Sequence, residues 1–214
     1  MYRKMVNEER SSMAKCSPLV LEPLEPEVKA KPSEASQRLT GHNRTKDKIE
    51  GESDETSRRT RQQISKLTEM QRAILIKTFA KLENNPVKNA LKILLKLFAE
   101  HPNYKQVWPQ FRAIPDSSLM NAIELRRHAS VYMCGLGAII HSMNREKDLA
   151  IQMNRIAKAH IKWKVHRAHV VHMLEPVLEV VKECNKDFDE EAKQAWTTLY
   201  YIIAELIEIY RHKK

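Results

Sequence analysis

Residues 125–160 read LRRHASVYMCGLGAIIHSMNREKDLAIQMNRIAKAH, and this stretch decides the fold class. Its first part repeats apolar or aromatic side chains at the spacing of one face of an α-helix. A charged turn, NREKD, separates this part from a second run with the same period. A histidine stands within each apolar stripe, His128 in the first and His160 in the second. The stretch therefore predicts two amphipathic helices, each with one histidine on its buried face.

The same helical period continues on both sides of this stretch, from residue 67 to the end of the chain. Thr68 and Gln71 have the spacing of a capping box, Pro86 suits the first position of the next helix, and Pro176 is expected to interrupt a later one. In chain order, the predicted helices cover about 68–83, 86–101, 116–143, 153–160, 166–184 and 189–211. We find no strand pattern, so the sequence predicts an all-α domain of about six to eight helices.

The first 66 residues have a different composition. They contain four of the nine prolines, one aromatic residue (Tyr2), and 14 basic and 11 acidic residues. Such a segment cannot bury enough apolar surface to offset the entropy lost on ordering. We therefore predict a disordered extension over residues 1–66 and a folded domain over residues 67–214.

Charge and cysteine usage exclude several classes of protein. The formal net charge is +10, but no long basic run concentrates it, so we interpret it as solvated charge and not as a nucleic-acid interface. Three widely spaced cysteines favour neither a disulfide framework nor a zinc site, and they point to a reducing, cytoplasmic compartment. The longest uncharged apolar run, residues 131–140, is about half of a membrane span, so no integral membrane segment is expected.

The two histidines on apolar faces admit two interpretations. Such a pair on separate helices is what a planar metal cofactor between helices needs. The alternative is a pair of core histidines whose ring nitrogens are satisfied by neighbouring groups. A zinc site is disfavoured because further ligands do not stand at the usual spacing. His166, His169 and His172 spread their rings over a wide arc of one helix, so we interpret them as solvated or partly packed.

Five motifs carry a resemblance that covers residues 67–214. In chain order they are LTEMQRAILIKTFAKL, LFAEHPNYKQVWPQF, RRHASVYMCGLGAII, IAKAHIKWKV and DFDEEAKQAWTTLYYIIAELIEIY. In this order and near this spacing they resemble the globin family, in particular invertebrate, nematode-like globins with an N-terminal extension. The resemblance implies the globin fold, in which helices pack pairwise around a haem pocket.

The resemblance also implies roles for individual residues around haem b (iron protoporphyrin IX). His160 would be the proximal iron ligand, and His128 would lie on the distal side as a potential sixth ligand. Trp108 stands where globins nearly always have phenylalanine, and Tyr132 stands where a small aliphatic residue is commonest. The remaining residues that it implies around the haem are Leu94, Phe111, Ile156 and Val165 as apolar wall, and Arg127, Lys162 and Lys164 as partners of the propionates.

The function implied by the resemblance is binding of dioxygen or another diatomic ligand. We favour redox sensing, oxygen sensing or electron transfer over bulk oxygen transport, because a carrier needs no extension such as residues 1–66. No catalytic residue is predicted, and a dioxygenase or peroxidase side activity would need an external electron donor. The alternative is a haem-free, globin-like scaffold that acts as a protein-interaction module. Crowding by Tyr132 favours a six-coordinate iron with His128 bound, over an open five-coordinate site. The sequence does not indicate an oligomeric state.

Overall fold

The computed structural model describes residues 55–212, and all regular structure in that range is helical. The α-helices are α1 (residues 55–64), α2 (Glu69–Leu82), α3 (Pro86–Glu100), α4 (Asp116–Leu119), α5 (Ile123–Ile140), α6 (Glu146–Lys162), α7 (Arg167–His172), α8 (Leu174–Cys184) and α9 (Glu190–Arg211). A 3₁₀ helix, Pro102–Val107, lies between α3 and α4. The all-α prediction is confirmed for the part of the chain that the structure describes.

Helix α1 corrects the prediction of disorder for residues 55–66. Thr56, Thr60 and Ile64 are spaced four residues apart and are all buried, and Ile64 has no exposed surface. The hydroxyl of Thr60 lies 3.1 Å from the hydroxyl of Tyr210 on α9. The buried face of this helix is narrow and contains two threonines. A prediction from composition counts these threonines as polar. The predicted disorder of residues 1–54 lies outside the described residues.

Helix α2 begins where the capping signal predicts. The backbone N–H of Gln71 donates to the Thr68 hydroxyl at 3.1 Å, and the backbone N–H of Thr68 donates to the Gln71 side chain at 3.2 Å. These two bonds satisfy donors that the first turn of a helix leaves without partners. Pro86 is the first residue of α3, where the missing N–H costs no hydrogen bond.

Three predicted helix boundaries are wrong, and the first is the start of α6, which lies at Glu146 within the segment predicted as a charged turn. The single helix predicted over residues 116–143 is divided into α4 and α5, because the N–H groups of Asn121 and Ala122 bond to carbonyls three residues back and Ala122 is extended. The predicted interruption at Pro176 instead lies at Met173, between α7 and α8. Pro176 fits the first turn of α8, where its nitrogen is not required as a donor.

The core forms where the long helices cross. Helix α3 packs on α5, and α9 packs on α2, α6 and α7. Trp196 of α9 is completely buried, and its indole N–H donates to the hydroxyl of Thr78 at 3.0 Å. This framework positions α5 and α6, the helices that carry His128 and His160. Among the helices of the described range, none combines the length and apolar character that crossing a bilayer requires.

Candidate functional site

The first component of the site is a half-buried histidine on α6 whose tautomer is fixed by the backbone. Nδ1 of His160 lies 2.8 Å from the carbonyl oxygen of Ile156, one turn earlier. Since a carbonyl only accepts, Nδ1 carries the proton and Nε2 keeps a lone pair. Burial lowers the pKa of His160, although the bond to Ile156 opposes this shift. The result is a neutral imidazole with one nitrogen available as a metal ligand.

The second component is His128 on α5. Burial lowers its pKa to about 4, and the nearby charge of His160 adds to this shift. The two imidazoles are therefore close enough to interact electrostatically. Within residues 55–212, burial and His160 are the causes of this shift, and no hydrogen bond to His128 contributes to it. His128 is therefore a neutral imidazole.

Aromatic rings surround His128. The ring of Trp108 contacts it edge-on, with centroids 5.1 Å apart, and the ring of Phe111 lies at 5.9 Å. Trp108 and Phe111 stack on each other at 5.6 Å, and Phe98 meets Trp108 edge-on at 5.5 Å. Leu94 on α3 is almost completely buried. The sequence analysis included all of these residues except Phe98, which stands four positions after Leu94 on the same helix face.

Tyr132 lies one turn after His128 on α5, and its hydroxyl is tied to α9. The hydroxyls of Tyr132 and Tyr200 are 2.5 Å apart. Burial raises the pKa of both phenols, so both keep their protons. Tyr200 lies in the last of the five motifs, and nothing in the sequence marks it as the partner of Tyr132.

A cleft of about 480 Å³ opens beside the carboxyl end of α6. Three cationic residues line it: Arg112, Lys162 and Lys164. The sequence analysis named the two lysines as partners of an anionic cofactor edge but did not find Arg112. Arg127, which it also named, is exposed and does not line this cleft.

The segment after α6 folds back and bonds to the backbone of His160. Val165 is buried, and its N–H donates to the carbonyl of His160 at 2.9 Å. Lys164 has a positive φ of 57°, a left-handed conformation that turns the chain sharply between these two residues. The turn places Val165 under the end of α6, while the lysine stays at the cleft.

Comparison with known proteins decides the family. A family model described as Globin matches residues 91–207, which is more than half of the chain. The chain belongs to the globin family. It is 29% identical over 140 residues to cytoglobin-1 of Oryzias latipes, covering 64% of this chain and 79% of that protein. It is 26% identical over 153 residues to cytoglobin-2 of Danio rerio (70% and 84%) and 26% identical over 134 residues to myoglobin of Heterodontus portusjacksoni (62% and 88%).

A solved globin structure shares the fold. It is the hexa-coordinate hemoglobin of Drosophila melanogaster, described for its cyanide binding and for conformational transitions of its heme cavity. The TM-score is 0.60 at 21% sequence identity, and the match covers 66% of this chain and 93% of that one. The predicted globin fold is confirmed, whereas the finer likeness to nematode globins stays a prediction.

The residues of this globin fit a haem. The neutral imidazoles of His128 on α5 and His160 on α6 are the kind of donor that would hold a haem iron. Leu94 and Phe111 supply the apolar surroundings, and the cations of the cleft match carboxylates at the edge of a porphyrin. The neutral ring of His128 and the available Nε2 of His160 are the features that a haem iron would use.

Proposed function

We propose that this globin holds haem b between His128 and His160, with His160 as the proximal ligand, and binds dioxygen or another diatomic ligand there. The observation that carries the proposal is the 2.8 Å bond from His160 Nδ1 to the Ile156 carbonyl. It orients the ring, leaves Nε2 unprotonated and makes that nitrogen a better ligand. When bound, the haem supplies an iron that takes small diatomic ligands. The cyanide binding described for the Drosophila relative supports the same ligand class.

The other residues exclude water and neutralise charge. Leu94, Phe111 and Val165 are buried and form apolar wall, and Trp108 adds a broad ring beside His128. The proposed partners of the haem propionates are Lys162, Lys164 and Arg112. Arg112 takes the role that was predicted from the sequence for Arg127.

His128 is proposed as the sixth ligand of the resting iron. Its imidazole is neutral at physiological pH, and no hydrogen bond contributes to the shift of its pKa. Tyr132, one turn away, adds a large ring where globins commonly have a small side chain. Both features favour coordination by His128 over an open position, and an external ligand then binds only as fast as His128 leaves.

This arrangement favours a redox role. Two histidines that stay in place while an electron arrives from an external donor require little rearrangement of the protein. We therefore place redox sensing, oxygen sensing or electron transfer before bulk oxygen transport. The competing function is a haem-free scaffold that binds another protein.

Absorption spectra test the proposal. Haem reconstitution is expected to give a Soret band, and absence of that band would leave only the scaffold function. Deoxygenated ferrous protein should show sharp, split visible bands that are lost in His128→Ala. His160→Ala should lose or greatly weaken haem binding, whereas the matched control His166→Ala should retain it. A single broad visible band in the unmodified protein would instead indicate a five-coordinate iron.

A further inference from the structure

A cluster of stacked rings joins α3 and the 3₁₀ helix to α7, outside the proposed haem site. The rings of His101 and His172 are parallel within 6° and their centroids are 4.3 Å apart. Tyr104 stacks on His101 at 4.8 Å, and its hydroxyl lies 2.6 Å from Nδ1 of His172. The ring of His169 lies 4.4 Å from Tyr104. We call these four residues the imidazole stack.

Further positive charge faces the imidazole stack. The ring of His166 lies 5.9 Å from that of His169, and the His166 backbone N–H donates to His169 Nδ1 at 3.0 Å. Burial lowers the pKa of His169, the backbone hydrogen bond to His166 opposes this shift, and the charges of His166, His172 and Arg211 add to it. Protons added to this cluster therefore meet positive charge from both α7 and α9.

The nearby charged groups on the packed elements already have other partners. Glu208 of α9 lies 3.5 Å from Arg211 and accepts the backbone N–H of Arg167 at 3.0 Å. The Arg167 side chain pairs with Glu205 at 2.6 Å. On the 3₁₀ helix, Lys105 pairs with Asp116 at 2.5 Å. No ion pair within residues 55–212 joins a carboxylate to a member of the imidazole stack.

The imidazole stack bridges the two segments that lead to the proposed haem ligands. Tyr104 precedes Trp108 by one turn, and Trp108 contacts His128. His169 and His172 belong to α7, the helix that follows Val165. The backbone N–H of Val165 donates to the carbonyl of His160. Few residues therefore separate the imidazole stack from His128 on one side of the proposed haem site and from His160 on the other.

We propose that the imidazole stack is a pH-sensitive clamp that joins the 3₁₀ helix to α7 when neutral and loosens when protonated, which changes ligand affinity at the haem. The coupling to affinity rests on the proposed function. The hydrogen bond between the Tyr104 hydroxyl and Nδ1 of His172 and the stacking of neutral rings hold the 3₁₀ helix against α7. Two parallel imidazolium rings at the distance of His101 and His172 repel. Because this repulsion grows as the stacked rings take up protons, the contact weakens as the pH falls. The described residues contain no group of three His, Cys, Asp or Glu placed to hold a metal ion, so protons are the ligand we infer.

The test uses the full-length protein at pH 7.5 and pH 5.5 with two measurements. The first is hydrogen exchange of the backbone amides in residues 103–108, corrected for intrinsic rates, and it does not depend on haem. The second is the dissociation constant for carbon monoxide. Each is expected to change about fivefold in the unmodified protein, near the low end of known coupling between sites.

Three variants complete the experiment. The double variant His101→Gln and His172→Gln should make both measurements nearly independent of pH, and Tyr104→Phe should show raised exchange already at pH 7.5. His141→Gln is the control, because His141 pairs with Glu83 at 2.8 Å away from the stack and should leave the pH dependence unchanged. Exchange that does not respond to pH, or responds equally in the double variant, would overturn the clamp. Exchange that responds while carbon monoxide affinity does not would overturn the coupling, and absence of haem binding would overturn the proposed function alone.

Discussion

The pKa of His128 predicts how the stability of the haem-free protein depends on pH. Burial lowers this pKa to about 4, whereas an unfolded chain has an ordinary histidine pKa near 6.5. The unfolded state therefore takes up the proton first as the pH falls. Stability contributed by neutral His128 is complete above about pH 6.5 and is lost progressively down to about pH 4. A difference of about 2.5 pKa units corresponds to roughly 3 kcal/mol, a large share of the 5–15 kcal/mol typical of a domain.

Urea unfolding of the haem-free protein at pH 7, 6, 5 and 4 measures this effect. The unmodified protein should lose free energy of unfolding toward pH 4, and His128→Gln, which cannot titrate, should lose about 3 kcal/mol less over the same range. His141→Gln is the matched control for the substitution itself, because His141 is exposed and lies outside the candidate site. Equal slopes for His128→Gln and the unmodified protein would refute the argument that burial keeps His128 neutral.

Three further substitutions test the packing around the site, each by the free energy of unfolding. Ile64→Ala should lower the free energy of unfolding by about 2–5 kcal/mol, because the side chain is completely buried. A cost near zero would mean that α1 does not pack on the folded domain. Trp196→Phe should lower the free energy of unfolding by about 1–3 kcal/mol beyond the loss of packing, because the Thr78 hydroxyl loses its indole N–H donor. An unchanged free energy of unfolding would contradict that hydrogen bond. Tyr200→Phe should cost about 1–3 kcal/mol by leaving the Tyr132 hydroxyl buried without its partner, and the double phenylalanine variant should recover part of the loss.

The helices could be predicted from the sequence because their apolar spacing is itself the cause of their burial. Thr68 and Gln71 show the same for a helix end, since the signal and the hydrogen bonds are local. The break before α5 could not be predicted, because it depends on the backbone hydrogen bonds of Asn121 and Ala122. Helix α1 was missed because its buried face contains two threonines, and Thr60 contacts Tyr210 on a helix far along the chain.

The residues of the candidate site likewise fall into those that a local sequence pattern predicts and those that it does not. His128 and His160 could be found because each stands in an apolar stripe, which is a local pattern. Arg127 shows the limit of sequence proximity: adjacent helical residues point in different directions, so a neighbour of His128 need not share its face. Arg112 instead reaches the cleft through the irregular segment before α4, whose path no periodicity describes.

The bond between Tyr132 and Tyr200 bears directly on the proposed coordination of the haem iron by His128. It ties α5 to α9 one turn from His128, so any movement of α5 that carries His128 toward the iron must stretch it or displace α9. The Tyr132 ring, by contrast, fills space that an external ligand would need. Tyr132→Phe separates these two effects, because it keeps the ring and removes the hydroxyl. We expect this variant to increase the six-coordinate fraction of the deoxygenated ferrous protein and to slow carbon monoxide binding, as measured by visible spectra and rapid mixing. The same change in Tyr200→Phe would assign the effect to the shared bond. A lower six-coordinate fraction in Tyr132→Phe would mean that the bond holds His128 near the iron, and the tether would then favour the bis-histidine state.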